Sequence, residues 1–313
     1  MNVPPSTEAP VPWRSDRHLD ADIVRSVLAA QFPQLPVATV AYVSEGWDSQ
    51  AFLVNDHWIF RFPKRSEVAG WLVMELRVLA AIERLGQAIM TPRPHWFGQA
   101  SEQFPYAFMG YACIPGDTGE LLPDPEAARI GQQLGAFLAA VHTITAEQVG
   151  PVRRIPDEPA FSAQRVITHR DAIMQYLPPE LEPPFHDLLS GTASIPPANP
   201  DQPVLVHADL TANHLIMADR SRITGCIDWG DSGLGDPAFD FGGVALWLSS
   251  EGLAAALAAS HGPRDPAFAD RAWFYARCAA LCDFRHYGRK SGDPIQCRHL
   301  LRCLHQVASI RFG

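Results

Sequence analysis

The chain has 313 residues, 47% hydrophobic and 19% charged, with a formal net charge of −9. That length and apolar content suffice for a sizeable core and more than one compact unit, while the negative balance argues against general nucleic-acid binding, which needs clustered cations. Six cysteines (Cys113, Cys226, Cys278, Cys282, Cys297 and Cys303) show no paired framework, so free thiols are expected in place of disulfides or a zinc site.

Residues 1–18 are proline-rich and polar and read as a mobile tail, without the apolar centre of a secretory leader. In "DADIVRSVLAAQF", Ile23, Val24, Val27 and Leu28 share one helical face. Three strand-like pieces follow, "VATVAYV", "QAFLVN" and "HWIFRF", with Asn55-Asp56 as a tight turn between the last two. A helix is predicted over "EVAGWLVMELRVLAAIERLG", stopped by Gly86. Apolar runs near "PHWFGQ" and "YAFMGYACI" complete a small antiparallel sheet. After Pro115-Gly116 the texture changes. "DPEAARIGQQLGAFLAAVHTI" reads as an amphipathic helix burying Ile130, Leu134, Phe137, Leu138 and Val141. Residues 143–203 read as an insertion of short helices, and "VLVHADL", "HLIMAD" and "ITGCIDW" as short strands. From Gly242 onward the pattern is helical. No run approaches the roughly 18 apolar residues of a membrane span, so a cytoplasmic protein with no membrane partner is expected. The division is a tail (1–18), a sheet-rich lobe (19–113) and a helical lobe (114–313), an α+β chain of two lobes with a ligand cleft between them.

Residues 205–219, "LVHADLTANHLIMAD", carry the chemistry. Phosphoryl transfer needs a carboxylate to orient and deprotonate the attacking hydroxyl, metal ligands on the phosphates, and cations that spread developing charge. Kinase catalytic loops place an Asp, a ligand five residues later, and a second Asp on a nearby turn. Here that series is Asp209, His214 and Asp228, and a short hairpin can bring the two aspartates together. An asparagine is usual where His214 stands.

"HADLTANHLIM", "ITGCIDWGDSGLGDPAFDF" and "SEGWDSQAFLVNDHWIFRFPKR" together resemble the aminoglycoside phosphotransferase family across roughly residues 37–247. The motifs look most like the aminoglycoside 2''-phosphotransferases, and macrolide phosphotransferases share much of the pattern. The resemblance implies a protein-kinase-like fold, with an antiparallel sheet plus a helix in the first lobe and a mostly helical second lobe. It implies Asp209 as catalytic base, Asp228 and His214 as ligands of Mg²⁺, and ATP or GTP as co-substrate. The strand-three lysine falls at Arg61, so either Arg61 or Lys64 is expected to hold the phosphates, with Glu75 as ion-pair partner. Ser44 and Ser49, in the "SEGWDSQ" turn, would donate to the phosphates. The run Met109 to Ile114, Tyr111 included, would offer backbone groups to the purine.

The acceptor implied is an aminoglycoside-type antibiotic, phosphorylated on a hydroxyl as a resistance reaction. A macrolide, or a metabolite of a small-molecule kinase, is the alternative. A nucleotide-binding pseudokinase is the different-class rival, supported by Arg61 and His214 and opposed by the presence of both Asp209 and Asp228. The acidic insertion (Asp157, Glu158, Asp171, Glu180, Glu182, Asp187) suits a polycation, whereas residues 241–313 are net basic. Asp236 and Asp240 read as structural loop anchors, and Asp231 either faces substrate or caps a turn. Trp229, Phe239, Phe241 and Trp247 read as core. Asn213 reads as a loop-shaping residue and His142 as a partnered histidine. With Lys64 and Lys290 as the only lysines and no G-x-x-x-x-G-K-[ST], a P-loop is excluded. No G-x-G-x-x-G follows a strand, which removes the usual dinucleotide fingerprint. A zinc hydrolase using His207, Asp209 and His214 lacks a further suitably spaced histidine.

Overall fold

The computed structural model describes residues 15–122, 125–156, 158–199, 203–261, 265–289 and 294–309. Tail residues 1–14, Asp157, Asp201 and Lys290 lie outside them. The chain forms two compact units, one of residues up to Leu76 with Pro92–Cys113, the other of Arg77–Thr91 with residues from Ile114 onward.

The first unit opens with α1 (Ala21–Gln31), capped by Asp20, whose carboxylate accepts from the Asp22 and Ile23 amides. Strands β1 (Val40–Glu45), β2 (Ser49–Val54), β3 (Trp58–Pro63), β4 (Pro94–Gly98) and β5 (Phe108–Ala112) form an antiparallel sheet in the order β1-β2-β3-β5-β4. Asn55 and Asp56 take φ values of 53° and 54°, the paired left-handed conformation of a two-residue hairpin turn matched to strand twist. Val24, Val27 and Leu28 pack into a core with Phe52, Phe60, Phe62, Phe104 and Phe108, where the Phe62 and Phe108 rings stack at 4.5 Å. Helix α2 (Ser66–Glu83) begins in this unit and ends in the other, three residues before Gly86 at φ 62°.

The second unit continues with β6 (Asp117–Thr118), α3 (Ala127–Val141) and the short helices α4 (Ala146–Val149), α5 (Pro159–Thr168), α6 (Arg170–Met174) and α7 (Glu182–Ser190). Then come β7 (Val204–Val206), β8 (Leu215–Asp219), β9 (Arg222–Cys226), β10 (Gly233–Gly235), α8 (Pro237–Ala259), α9 (Phe268–Arg289) and α10 (Pro294–Ala308). Strand β7 pairs with β10, and β8 lies between β6 and β9. The strands at the site are shorter than the apolar runs suggest, because Ala208 (φ 66°) and Asp228 (φ 64°) turn left-handed and end the extended backbone.

Helices α3 and α8 pack backbone to backbone. A Cβ added at Gly131 or Gly135 would stand 2.2 Å from the Gly252 carbonyl oxygen and 2.1 Å from that of Ala256. The buried face of α3 is Ile130, Leu134, Phe137, Leu138 and Val141. Helix α8 is the single described helix long and apolar enough to span a bilayer, but it kinks at Ser249 and most of its residues up to Leu248 are buried in the core. All six cysteines are free thiols.

Candidate active site

The loop after β7 is anchored by Asp240 in the first turn of α8. Its Oδ2 accepts from the His207 amide at 3.0 Å and its Oδ1 from the Ala208 amide at 3.1 Å. His142 Nε2, at the end of α3, lies 3.0 Å from the same Oδ2. A non-glycine left-handed residue such as Ala208 carries strain that surrounding bonds must hold in place, and Asp240 supplies them. Both oxygens of this carboxylate are thus engaged in scaffolding.

His207 is fully buried, and burial pushes its imidazole below the ordinary pKa, so the neutral ring is favoured. Its Nε2 donates to the Ile227 carbonyl at 2.9 Å, leaving Nδ1 to accept the Asp209 amide at 3.3 Å. The ring lies against Trp229, centroids 4.5 Å apart. His207 therefore fixes the backbone of Asp209 from within the core.

Asp209 projects with 46% of its side chain exposed, and its carboxyl pKa is raised, chiefly by desolvation and further by the charges of Asp231 and Asp228. His214 opposes that rise. The imidazole of His214 spans the two expected chemical aspartates: Nδ1 is 3.5 Å from Asp209 Oδ2, and Nε2 is 3.4 Å from Asp228 Oδ2. Nδ1 also donates to the Asp209 carbonyl at 2.7 Å, and Nε2 faces Asp228. Asn213 Nδ2 lies 3.3 Å from that Nε2, as expected of a loop-shaping residue.

Asp228 sits left-handed at the entrance of the turn Trp229–Asp231. Trp229 is fully buried and donates from Nε1 to the Cys226 carbonyl at 3.1 Å. Arg153, from the insertion, braces this turn, pairing with Asp231 at 3.1 Å and donating to the Gly230 carbonyl. Asp231 thus meets an arginine within the fold. Asp236 caps α8 and pairs at 2.7 Å with the wholly buried Arg271.

An imidazole nitrogen and a carboxylate 3.4 Å apart can share a cation once the ring is neutral. Among the described residues no group of three or more His, Cys, Asp or Glu side chains is gathered to hold a metal by protein alone. Magnesium commonly takes only one or two protein ligands beside phosphate oxygens and water, so Asp228 with His214 fits it, with imidazole the softer of the two donors.

In the first unit, Arg61 on β3 pairs with Glu75 on α2 at 2.7 Å. Lys64 is 1% exposed and its ammonium goes to Glu45 and to the Gly46 carbonyl. Ser44 and Ser49 flank the β1–β2 turn, Ser44 opposite Ala51 and Ser49 opposite Pro63. Met109 and Tyr111 are buried on β5, Met109 paired with Arg61 and Phe97, Tyr111 with Ile59 and Pro94.

Two residues near this chemistry carry no motif. Arg153 lies in a segment of weak pattern and is seen only when its carbonyl accepts the Leu234 amide of β10 at 3.0 Å, beside the bridge of Arg154 to Leu234. Asp283 lies on α9, and burial, then the charge of Asp209, pushes its carboxyl up to about 7. A carboxylate within a helix otherwise rich in apolar residues was the one sequence signal available for it.

A family model described as "Phosphotransferase enzyme family" matches residues 39–274. Among solved structures, the chain is similar to a mutant of aminoglycoside 2'-phosphotransferase-IIIa in complex with GDP (22% identity, 92% of this chain and 97% of that chain, TM-score 0.69). It is also similar to APH(2")-IIIa with GDP and kanamycin (21%, 92% and 99%, 0.69). A third likeness is the macrolide 2'-phosphotransferase MphH from Brachybacterium faecium, apoenzyme (22%, 88% and 96%, 0.57).

Proposed function

This chain belongs to the phosphotransferase enzyme family, and from that premise we propose that it transfers the γ-phosphate of ATP or GTP to a hydroxyl of an aminoglycoside-type antibiotic. The observation that carries the reading is the His214 imidazole lying within 3.5 Å of both Asp209 and Asp228.

In this reading Asp209 orients the acceptor hydroxyl and takes its proton as the oxygen attacks. His207 holds the Asp209 backbone, and Asp240 holds His207 and Ala208, so the base is set before substrate arrives. Asp228 and His214 would hold Mg²⁺, whose charge neutralises the phosphates. Arg61, oriented by Glu75, is the cation assigned to the α- and β-phosphates, in the place of the usual lysine. Ser44, Ser49 and the backbone near Met109 and Tyr111 complete the nucleotide side.

The acceptor class rests on similarity to aminoglycoside phosphotransferases, with a macrolide or a metabolite as the second reading, favoured by the likeness to a macrolide 2'-phosphotransferase. The test is release of nucleoside diphosphate from ATP and from GTP, with Mg²⁺, across a panel of both drug classes. Stimulation by aminoglycosides is the expected result. Stimulation by macrolides alone moves the acceptor to the second reading, and slow release insensitive to every drug points to a metabolite. No release at all makes the pseudokinase reading the better one.

A further inference from the structure

The turn joining β1 to β2 is held from outside itself by the two cations that follow β3. Lys64 Nζ donates to the Gly46 carbonyl at 3.0 Å and pairs with Glu45 Oε1 at 2.6 Å. Arg65 Nη1 donates to the Trp47 carbonyl at 3.0 Å, and its Nη2 pairs with Asp48 at 2.6 Å. The Lys64 amide donates to the Asp48 carbonyl at 2.8 Å, and the Gly46 amide closes the turn on the Ser49 carbonyl at 3.0 Å. Three successive carbonyls, of Gly46, Trp47 and Asp48, are thereby turned towards Lys64 and Arg65. The described residues contain no cis peptide. In a trans peptide plane the N–H points opposite to the C=O, so the amides of Trp47, Asp48 and Ser49 are directed away from the cations. Successive amides held on one side of a turn are a backbone arrangement that can serve an anion.

The strut is itself braced. The Asp16 amide donates to the Lys64 carbonyl at 3.2 Å, and Tyr106 Oη donates to the Asp16 carboxylate at 2.5 Å. A lysine that is 1% exposed and engaged by a carboxylate and a carbonyl has no reach left for a phosphate. Arg61 is assigned differently, because its guanidinium pairs with Glu75 on α2.

We infer that Lys64 and Arg65 are positioning residues that set the Glu45–Ser49 turn with its carbonyls inward and its amides outward, and that neither touches the nucleotide. This rests on the reading of the turn as the nucleotide loop. Its value for binding is that the turn meets the phosphates already ordered, so the ordering cost does not fall on affinity.

The experiment compares Lys64→Met with wild type in two ways. Amide hydrogen exchange of residues 45–49 is measured without nucleotide, and calorimetry gives the affinities for ATP, ADP and adenosine, each repeated with the guanine series. The expected result is faster exchange in the turn, with di- and triphosphate affinity falling together by about tenfold and nucleoside affinity unmoved. In turnover the loss falls on nucleotide KM more than on kcat. Selective loss of the triphosphate would overturn the inference, since that marks a direct γ-phosphate contact, and so would unchanged exchange. If Lys64→Met fails to fold, Arg65→Met, whose side chain is 22% exposed, carries the same expectations, and Arg65→Lys should restore part of the affinity. A wild-type protein that binds no nucleotide defeats the functional reading on its own, while the exchange measurement still decides whether the strut exists.

Discussion

Arg61 Nη1 donates to Glu75 Oε1 at 2.7 Å, with the two side chains 13% and 7% exposed, so a strand guanidinium is oriented by a helix carboxylate within one compact unit. Glu75→Gln keeps the volume and removes the charge. Loss of a charge-assisted bond at so buried a site should cost about 1.5–3 kcal/mol, read in urea denaturation, and should weaken nucleotide binding in calorimetry. Unchanged binding would separate the pair from the phosphates.

Asp209→Asn keeps shape and the backbone contact to His207 but cannot take a proton. Turnover should fall by roughly a hundred- to ten-thousandfold, with nucleotide affinity nearly intact. Wild-type turnover in this variant would remove Asp209 as the base.

His214→Asn replaces an imidazole with a hard oxygen donor of the kind magnesium prefers. The Mg²⁺ concentration that half-saturates nucleotide binding should fall, measured by calorimetry independently of turnover. A higher requirement would show that the imidazole, through its bond to the Asp209 carbonyl, matters more as a loop support than as a ligand.

Asp283 gives a pH dependence with a defined sign. Its carboxyl is raised from the ordinary 3.8 to about 7, first by burial and next by Asp209. Between those values the unfolded chain has released a proton that the folded chain keeps, so this residue's contribution to stability declines as pH rises through that window and stays low above it. Asp283→Asn should therefore raise the urea midpoint at pH 8 and change it little at pH 4. Equal effects at both pH values would contradict the shift.

Asp236 and Arg271 form a pair with 4% and 0% side-chain exposure, and Asp265 is a second partner of the arginine at 2.7 Å. Breaking a buried pair from one side typically costs about 3–5 kcal/mol. Asp236→Ala should lie near the lower end, because Asp265 remains. Denaturant unfolding checks this, and a loss under about 1 kcal/mol would mean that Asp265 alone suffices.

The first unit was legible because its rules are local. Alternation in "QAFLVN" and "HWIFRF", the Asn55-Asp56 turn and the face of α1 each declare themselves within a few residues. The spacing of Asp209, His214 and Asp228 likewise pointed to one constellation. What stayed hidden depended on the chain folding back. Strand β10 is three residues containing two glycines, with no apolar alternation to announce it. Arg153 acts only through a turn 77 residues further on. For Lys64 the sequence shows a charge near a strand end but not where it is directed. The two carbonyls and two carboxylates that engage it and Arg65 belong to a turn some 18 residues earlier.

The bare contact of α3 with α8 has one more consequence. His142 leaves the end of α3 to reach Asp240 on α8, and between the same helices Gly131 and Gly135 admit no side chain. Two helices meshed at backbone level cannot slide past each other by a turn without collision, so the sliding used by many switchable proteins is closed to this pair. The loop that carries Asp209 is tied to this helix pair through Asp240. Sequence change is open at the loops and the short helices between α3 and β7, whereas Gly131 and Gly135 have no replacement that leaves the contact of α3 with α8 intact.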